Sequence, residues 1–452
     1  MIVLPNTPPL PTQLTNPTNL SSEIITQRAS LLVPQLSSYN ESIRYVLSLE
    51  EYLKLLIKHS QTMGLSNTII STNIPWSNVS HANSKTNIFK NKNSKSFSWS
   101  LLNEIILTLI SISLIYNRIA SHLINETIDK EIEPPEKPED YNENWKTITK
   151  LYKNSISIML YAEILQSENS TSLNEGSVEI NPMLISFVKK ISDISIQMSI
   201  LSKFLWINRY LMNKNQDIKT ENNITLTKVA IYCMNELNII LNILNDFQTS
   251  FKISSESKIG IINLNYTDWD EYLNIFKKYT NSYAGFFLAL QNYKENKLGN
   301  ALGLIQYSLI SLQSKTNLEP QSSLLNKKIT LQKFKNKLNS RKNDAILSNL
   351  NSISTLNLNK SSFNDKSGII LNDLSYLYDQ LIKLNIKFLS ENNTLQFDNI
   401  IHWSSIEKDS KWPIGCKIPI SKIEPYNPLN NDDNFENINN GNNEYAGRGA
   451  YY

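Results

Sequence analysis

WDEYLNIFKKYTNSYAGFFLALQNY, residues 269–293, decides the fold. Its apolar residues stand at 269, 272, 273, 276, 279, 283, 286, 287, 290 and 293, steps of three and four that keep one helix face apolar along the whole stretch. A β-strand alternates every second residue and cannot carry that pattern. KENKLG (294–299) then supplies a turn, and Ala301, Leu302, Ile305, Leu309 and Leu312 restart the same spacing. Two antiparallel helices joined by a short turn are the unit from which helical solenoids stack. No fixed-period repeat is apparent, so a strict repeat array is not expected.

Helical spacing recurs upstream. Ile43, Val46, Leu47, Leu53 and Leu56 predict a helix over 42–57. The most apolar run, within 102–128, is bracketed by Glu104 and Arg118. It holds serines and falls short of the roughly 20 apolar residues of a membrane span, so a buried core helix is expected. Trp145, Ile148, Leu151, Tyr152 and Ile156 mark a helix over 144–167, and Pro182 is well placed to open another through Leu205. A further helix is expected over 224–247, one near 324–350 and one over 371–389. Between 73 and 100 the pattern changes, and the alternation Phe97-Ser98-Trp99 with Asn91-Lys92-Asn93 as turn predicts a small β-hairpin. Residues 1–20 read as an extended N-terminal arm, 21–426 as one helical domain and 427–452 as a low-complexity, disordered tail.

Composition narrows the class. The chain has 452 residues, 40% hydrophobic, with only 11 glycines, which suits long helices better than turn-rich sheets or phosphate loops. A formal net charge of +3 gives no general nucleic-acid character, and no binding to nucleic acid is expected. Cys233 and Cys416 are the two cysteines and fit a reducing cytosol rather than a disulfide framework. No signal peptide is read at the N-terminus, and a soluble protein is expected.

Catalytic chemistry is not evident. His59, His81, His122 and His402 lack the spacing of metal ligands, and no metal or other cofactor is expected. LGNALG (298–303) lacks the Lys-Ser/Thr of a phosphate loop. The acidic residues between Glu131 and Asp140 stand among prolines, as in a solvated linker, and the lysine run of 325–342 reads as a solvated helix face. A Cys416–His402 nucleophile is the one enzymatic alternative.

Several segments, in order, resemble the BRO-domain (Alix-like) family: SFSW (96–99), LNEIILTLISISLIYNRIASHLI (102–124), WKTITKLYKNSISIMLYAEIL (145–165), NPMLISFVKKISDISIQMSILSKFLWI (181–207), LTKVAIYCMNEL (226–237) and the helix pair of 269–309. DNIIHWSSIEKDSKWPIGCKIPI (398–420) is similar to the family's Ile-Tyr-His stretch with its following Pro-Ile-Gly, matched by His402, Pro413, Ile414 and Gly415. Ile401 stands where the family tyrosine would, so phosphotyrosine signalling does not carry over.

The resemblance implies a mainly α fold: an elongated, curved helical BRO domain with solenoid-like, TPR-like helix pairs and a small β-hairpin or sheet. It implies an adaptor, not an enzyme, that binds the C-terminal amphipathic helix of the main ESCRT-III filament subunit in an apolar groove near Leu205, Leu226 and Val229. The short chain and its YAGRGAYY ending (445–452) look like the fungal PalC-type members, regulators of ambient-pH (Pal/Rim) signalling. Other pH-pathway proteins are then further expected partners. A cytoplasmic location follows, with recruitment to endosomal or plasma membrane and peripheral membrane contact. The alternatives are an endosomal sorting factor of the multivesicular-body pathway and a generic helical interaction scaffold.

Overall fold

The computed structural model describes residues 1–15, 19–32, 34, 36–65, 68–81, 98–130, 142–169, 178–214, 221–254, 260–312, 372–408 and 412–428. The helices are α1 (Ser22–Ser30), α2 (Tyr39–Met63), α3 (Leu101–Asp129), α4 (Asn142–Asn169), α5 (Pro182–Asn213), α6 (Asn223–Ser254), α7 (Trp269–Lys294), α8 (Leu298–Ser311), α9 (Asn372–Glu391) and the short α10 (Trp403–Lys408). A π-turn, Asn392–Gln396, follows α9. The mainly α architecture holds, and the predicted helices fall in place with bounds that differ by a few residues. α1 had no counterpart in the periodicity. The expected helix near 324–350, the turn at Asn91–Asn93 and the tail beyond 428 lie outside the described residues.

Local chemistry sets the helix starts. Ser38 and Glu41 form a reciprocal capping box at α2. Ser100 accepts from the Asn103 amide at the head of α3, and Asn181 caps α5 with Pro182 behind it. From α2 to α8 each helix packs on the next, and α9 returns against α8, α3, α5 and α7. Such ordered neighbour packing is what helix pairs produce when each must cover its apolar stripe.

Strands are few and split between two sheets. β1 (Ile69–Ser71) pairs antiparallel with β3 (Trp99–Ser100). β5 (Gly260–Leu264) is central in the other sheet, antiparallel to β2 (Val79–His81) and parallel to β4 (Val178–Ile180). The stretch expected to form one hairpin therefore sends β2 and β3 to different sheets.

The N-terminal segment is extended and threaded into the core. Met1–Leu4 are buried. The Met1 α-amino group donates to Ser121 (2.7 Å) and to Tyr152, the Ile2 amide to Ser195 (3.3 Å) and the Val3 amide to Tyr272 (2.8 Å). Helix α3 lies at the centre, with 94% of its most apolar window buried in the protein. The two charges that bracket that run are themselves inside. Glu104 accepts from Arg28 (2.9 Å), Tyr52 (2.8 Å), Trp76 (2.8 Å) and Trp99 (2.7 Å), while Arg118 donates to the carbonyls of Thr7 (3.2 Å) and Leu36 (3.3 Å).

Candidate partner-binding face

Helices α5 and α6 carry the residues singled out for partner contact. Leu205, Leu226 and Val229 are 1%, 2% and 0% exposed, so all three belong to the core. The surface belongs to their neighbours. On α5 the half-buried Ile200, Phe204 and Ile207 recur at helical spacing from Gln197 and so share its side of the helix. On α6 the matching row is Ile224, Lys228 and Tyr232, with Ile224 40% exposed. Tyr232 ties the two rows together by donating to Asp193 of α5 at 2.9 Å. Burial, aided by the neighbouring Asp193 carboxylate, pushes the Tyr232 hydroxyl well above the usual phenol range.

An extended segment, residues 412–426, crosses this face. Trp412 packs against the Tyr307 ring of α8, centroids 5.6 Å apart. The Cys416 amide donates to the Lys228 carbonyl (3.0 Å) on α6. Gln197 of α5 reads the backbone of Ile418 twice, donating to its carbonyl (3.1 Å) and accepting from its amide (2.9 Å). Ser157 of α4 donates to the Glu424 carbonyl (2.7 Å), and its own carbonyl accepts from the Tyr426 amide (3.0 Å). Gly415 is required at the crossing: a Cβ there would stand 2.7 Å from the Tyr232 nitrogen. The Pro-Ile-Gly signal is therefore a backbone-approach signal, and it leaves Ile414 90% exposed.

A second crossing explains LGNALG. Cβ atoms at Gly299 and Gly303 would lie 2.3 Å from the carbonyl oxygens of Asn399 and Ile401. Asp398 accepts from the Gly299 amide at 3.2 Å, and its own amide is held by Asn392 at 2.9 Å. The motif seats a chain crossing on α8. Cys416 is exposed, and its thiol donates to the Lys417 carbonyl at 3.5 Å. His402 engages Ser404 at 2.7 Å. Among the described residues, no group of three or more His, Cys, Asp and Glu could hold a metal.

The sequence profile of a family of unknown function, DUF5355, matches residues 99–452. The chain belongs to that family. No curated protein matches this DUF5355 chain. Among solved structures it is similar to one described as "ALIX BRO1 CHMP4C complex", with TM-score 0.47 and 12% identity over 91% of this chain and 86% of that one. It is also similar to one described as "Structure basis for endosomal targeting by the Bro1 domain", with TM-score 0.42 and 14% identity over 87% of this chain and 86% of that one.

Proposed function

We propose that this DUF5355 protein is an adaptor whose α5–α6 face takes the C-terminal amphipathic helix of the main ESCRT-III filament subunit. The observation that carries the reading is a row of half-covered apolar side chains on α5, Ile200, Phe204 and Ile207, together with the 40% exposed Ile224 at the start of α6. An amphipathic helix presents anchors at i, i+3, i+4 and i+7, and such a face removes them from water. The ordered sequence resemblance to BRO domains supports the same partner.

Burying three anchors contributes about 1.5–3 kcal/mol each. Association and side-chain ordering consume several kcal/mol of that sum. Binding on the order of micromolar follows, suited to a reversible adaptor. In this reading the protein is a PalC-type regulator of ambient-pH signalling, cytoplasmic and recruited to endosomal or plasma membrane. It acts through contacts and not through catalysis.

The test is titration of the filament subunit's terminal helix into the purified full chain. Binding at micromolar concentrations is expected, and Ile224→Asp and Phe204→Asp should each abolish it with unchanged helicity by circular dichroism. No binding at tens of micromolar sinks the reading. Equal binding of an unrelated amphipathic helix makes the protein a generic scaffold instead. In cells, loss of the gene is expected to impair alkaline adaptation while cargo sorting stays normal; the reverse pattern favours the sorting role.

A further inference from the structure

Asp373, in the first turn of α9, is 1% exposed. Its Oδ1 accepts from Ser202 of α5 at 2.8 Å, and its Oδ2 from the Tyr283 hydroxyl of α7. Both donors are neutral. The carboxyl borders a seam between α3, α5 and α9, formed with Ile128, Leu205, Arg209, Tyr376 and Gln380, that is too narrow to hold a water molecule. Two basic groups face it. The Arg209 guanidinium attracts the ionised carboxyl without forming an ion pair with it, and it donates to the Ile128 carbonyl and stacks 3.5 Å over the Tyr376 ring. The Met1 α-amino group donates to Ser121 and Tyr152, and burial pushes it down to about 4. From α3, Asp129 faces the same helix start, held by Asn372 (2.7 Å) and Tyr376 (2.9 Å). From α7, Tyr279 backs Tyr283 at 3.1 Å between hydroxyls. Among the described residues, nothing forms an ion pair with Asp373.

We propose that Asp373 makes the seating of α9 depend on pH near neutrality, the helix loosening as this carboxyl ionises. A buried anion with only hydroxyl partners loses more hydration than those partners return. Burial accordingly pushes the Asp373 carboxyl up to about 7, against an ordinary 3.8 when α9 is released into water. A group raised in the seated state binds its proton more tightly there. Seating is therefore strongest below about pH 4, weakens as pH climbs toward 7 and levels off above. Between pH 6 and pH 8 the opening constant of α9 should rise about tenfold.

Amide hydrogen exchange of α9 in the full chain, corrected for intrinsic rates, tests this at both pH values. The tenfold rise is expected in the natural protein. It should also appear in Glu50→Gln, which removes another carboxyl that burial pushes to about 7, on α2. It should vanish in Asp373→Asn. A flat wild-type profile, or a rise that survives in Asp373→Asn, overturns the proposal. If Asp373→Asn does not fold, Tyr283→Phe decides: losing a donor to the anion should move the rise to higher pH, and an unmoved profile is equally fatal.

Discussion

At the scale of single residues, Glu104 is the most consequential side chain of the N-terminal half. It is wholly buried and joins α1 through Arg28, α2 through Tyr52, and the segments before α3 through Trp76 and Trp99. Arg28 also donates to the carbonyls of Thr12 and Pro75, so the pair fixes the N-terminal segment as well. Removing one member of a buried, hydrogen-bonded ion pair strands the other, at a cost of about 3–5 kcal/mol. Glu104→Gln should lose that much in denaturant unfolding. Glu104→Gln with Arg28→Met should lose less than the two single losses added together. From the sequence alone Glu104 looked like a charge at the edge of an apolar run. Nothing in local spacing reveals that three distant donors, Arg28, Tyr52 and Trp76, converge on it beside the nearby Trp99.

Among elements, the helices were legible and the segments that cross them were not. The three-four spacing of 269–293 is a property of one stretch, and α7 spans Trp269–Lys294. The crossing at residues 398–401 depends on which backbone meets which, information carried by two glycines spaced four apart on α8. Gly303→Ala would press a methyl group onto the Ile401 carbonyl and should cost about 1–3 kcal/mol, as overpacking does. Its clearest sign should be faster proteolysis within residues 397–426, because no residue of 412–426 is fully buried and this segment opens most easily. Unchanged cleavage there would show that the approach at Gly303 relaxes freely. The residues of α5 show the same limit in another form. A helix turns about 100° per residue, so a resemblance that lands one position away exchanges a surface side chain for a core one. Leu205, in the core, beside the half-buried Phe204 shows how far one position changes exposure.

For the molecule as a whole, two carboxyls, the buried Asp373 and the half-buried Glu50, tie stability to pH. Glu50 of α2 accepts from the Tyr116 hydroxyl at 2.6 Å, and burial pushes it up to about 7, as with Asp373. Unfolding returns both to ordinary carboxylate values, so the unfolded chain binds fewer protons than the folded one between about pH 4 and 7. Stability from these groups is complete at the acid end of that window and is lost as pH rises through it. The buried Met1 α-amino group, pushed down to about 4, works in the opposite sense over the same window. With two carboxyls against one amine, thermal unfolding should show a net fall in Tm from pH 5 to 7.5 that is largely removed in Glu50→Gln and replaced by a rise in Glu50→Gln with Asp373→Asn. A slope that both variants leave intact assigns the dependence to other groups. None of this was readable from residue types, since a glutamate four residues before a lysine, as Glu50 is to Lys54, looks like an ordinary solvated helix pair.

The threading of Met1–Leu4 has a consequence for synthesis. The Val3 amide is satisfied by Tyr272, and the Trp269 indole donates to the Pro5 carbonyl at 2.9 Å. Val3 and Pro5, made well before α7, must therefore wait until that helix emerges before these partners exist. Closing so long a loop is slow. The Met1–Leu4 segment is thus among the last pieces to lock, and nascent chains halted short of α7 leave its apolar side chains unsheltered, where chaperones can hold them.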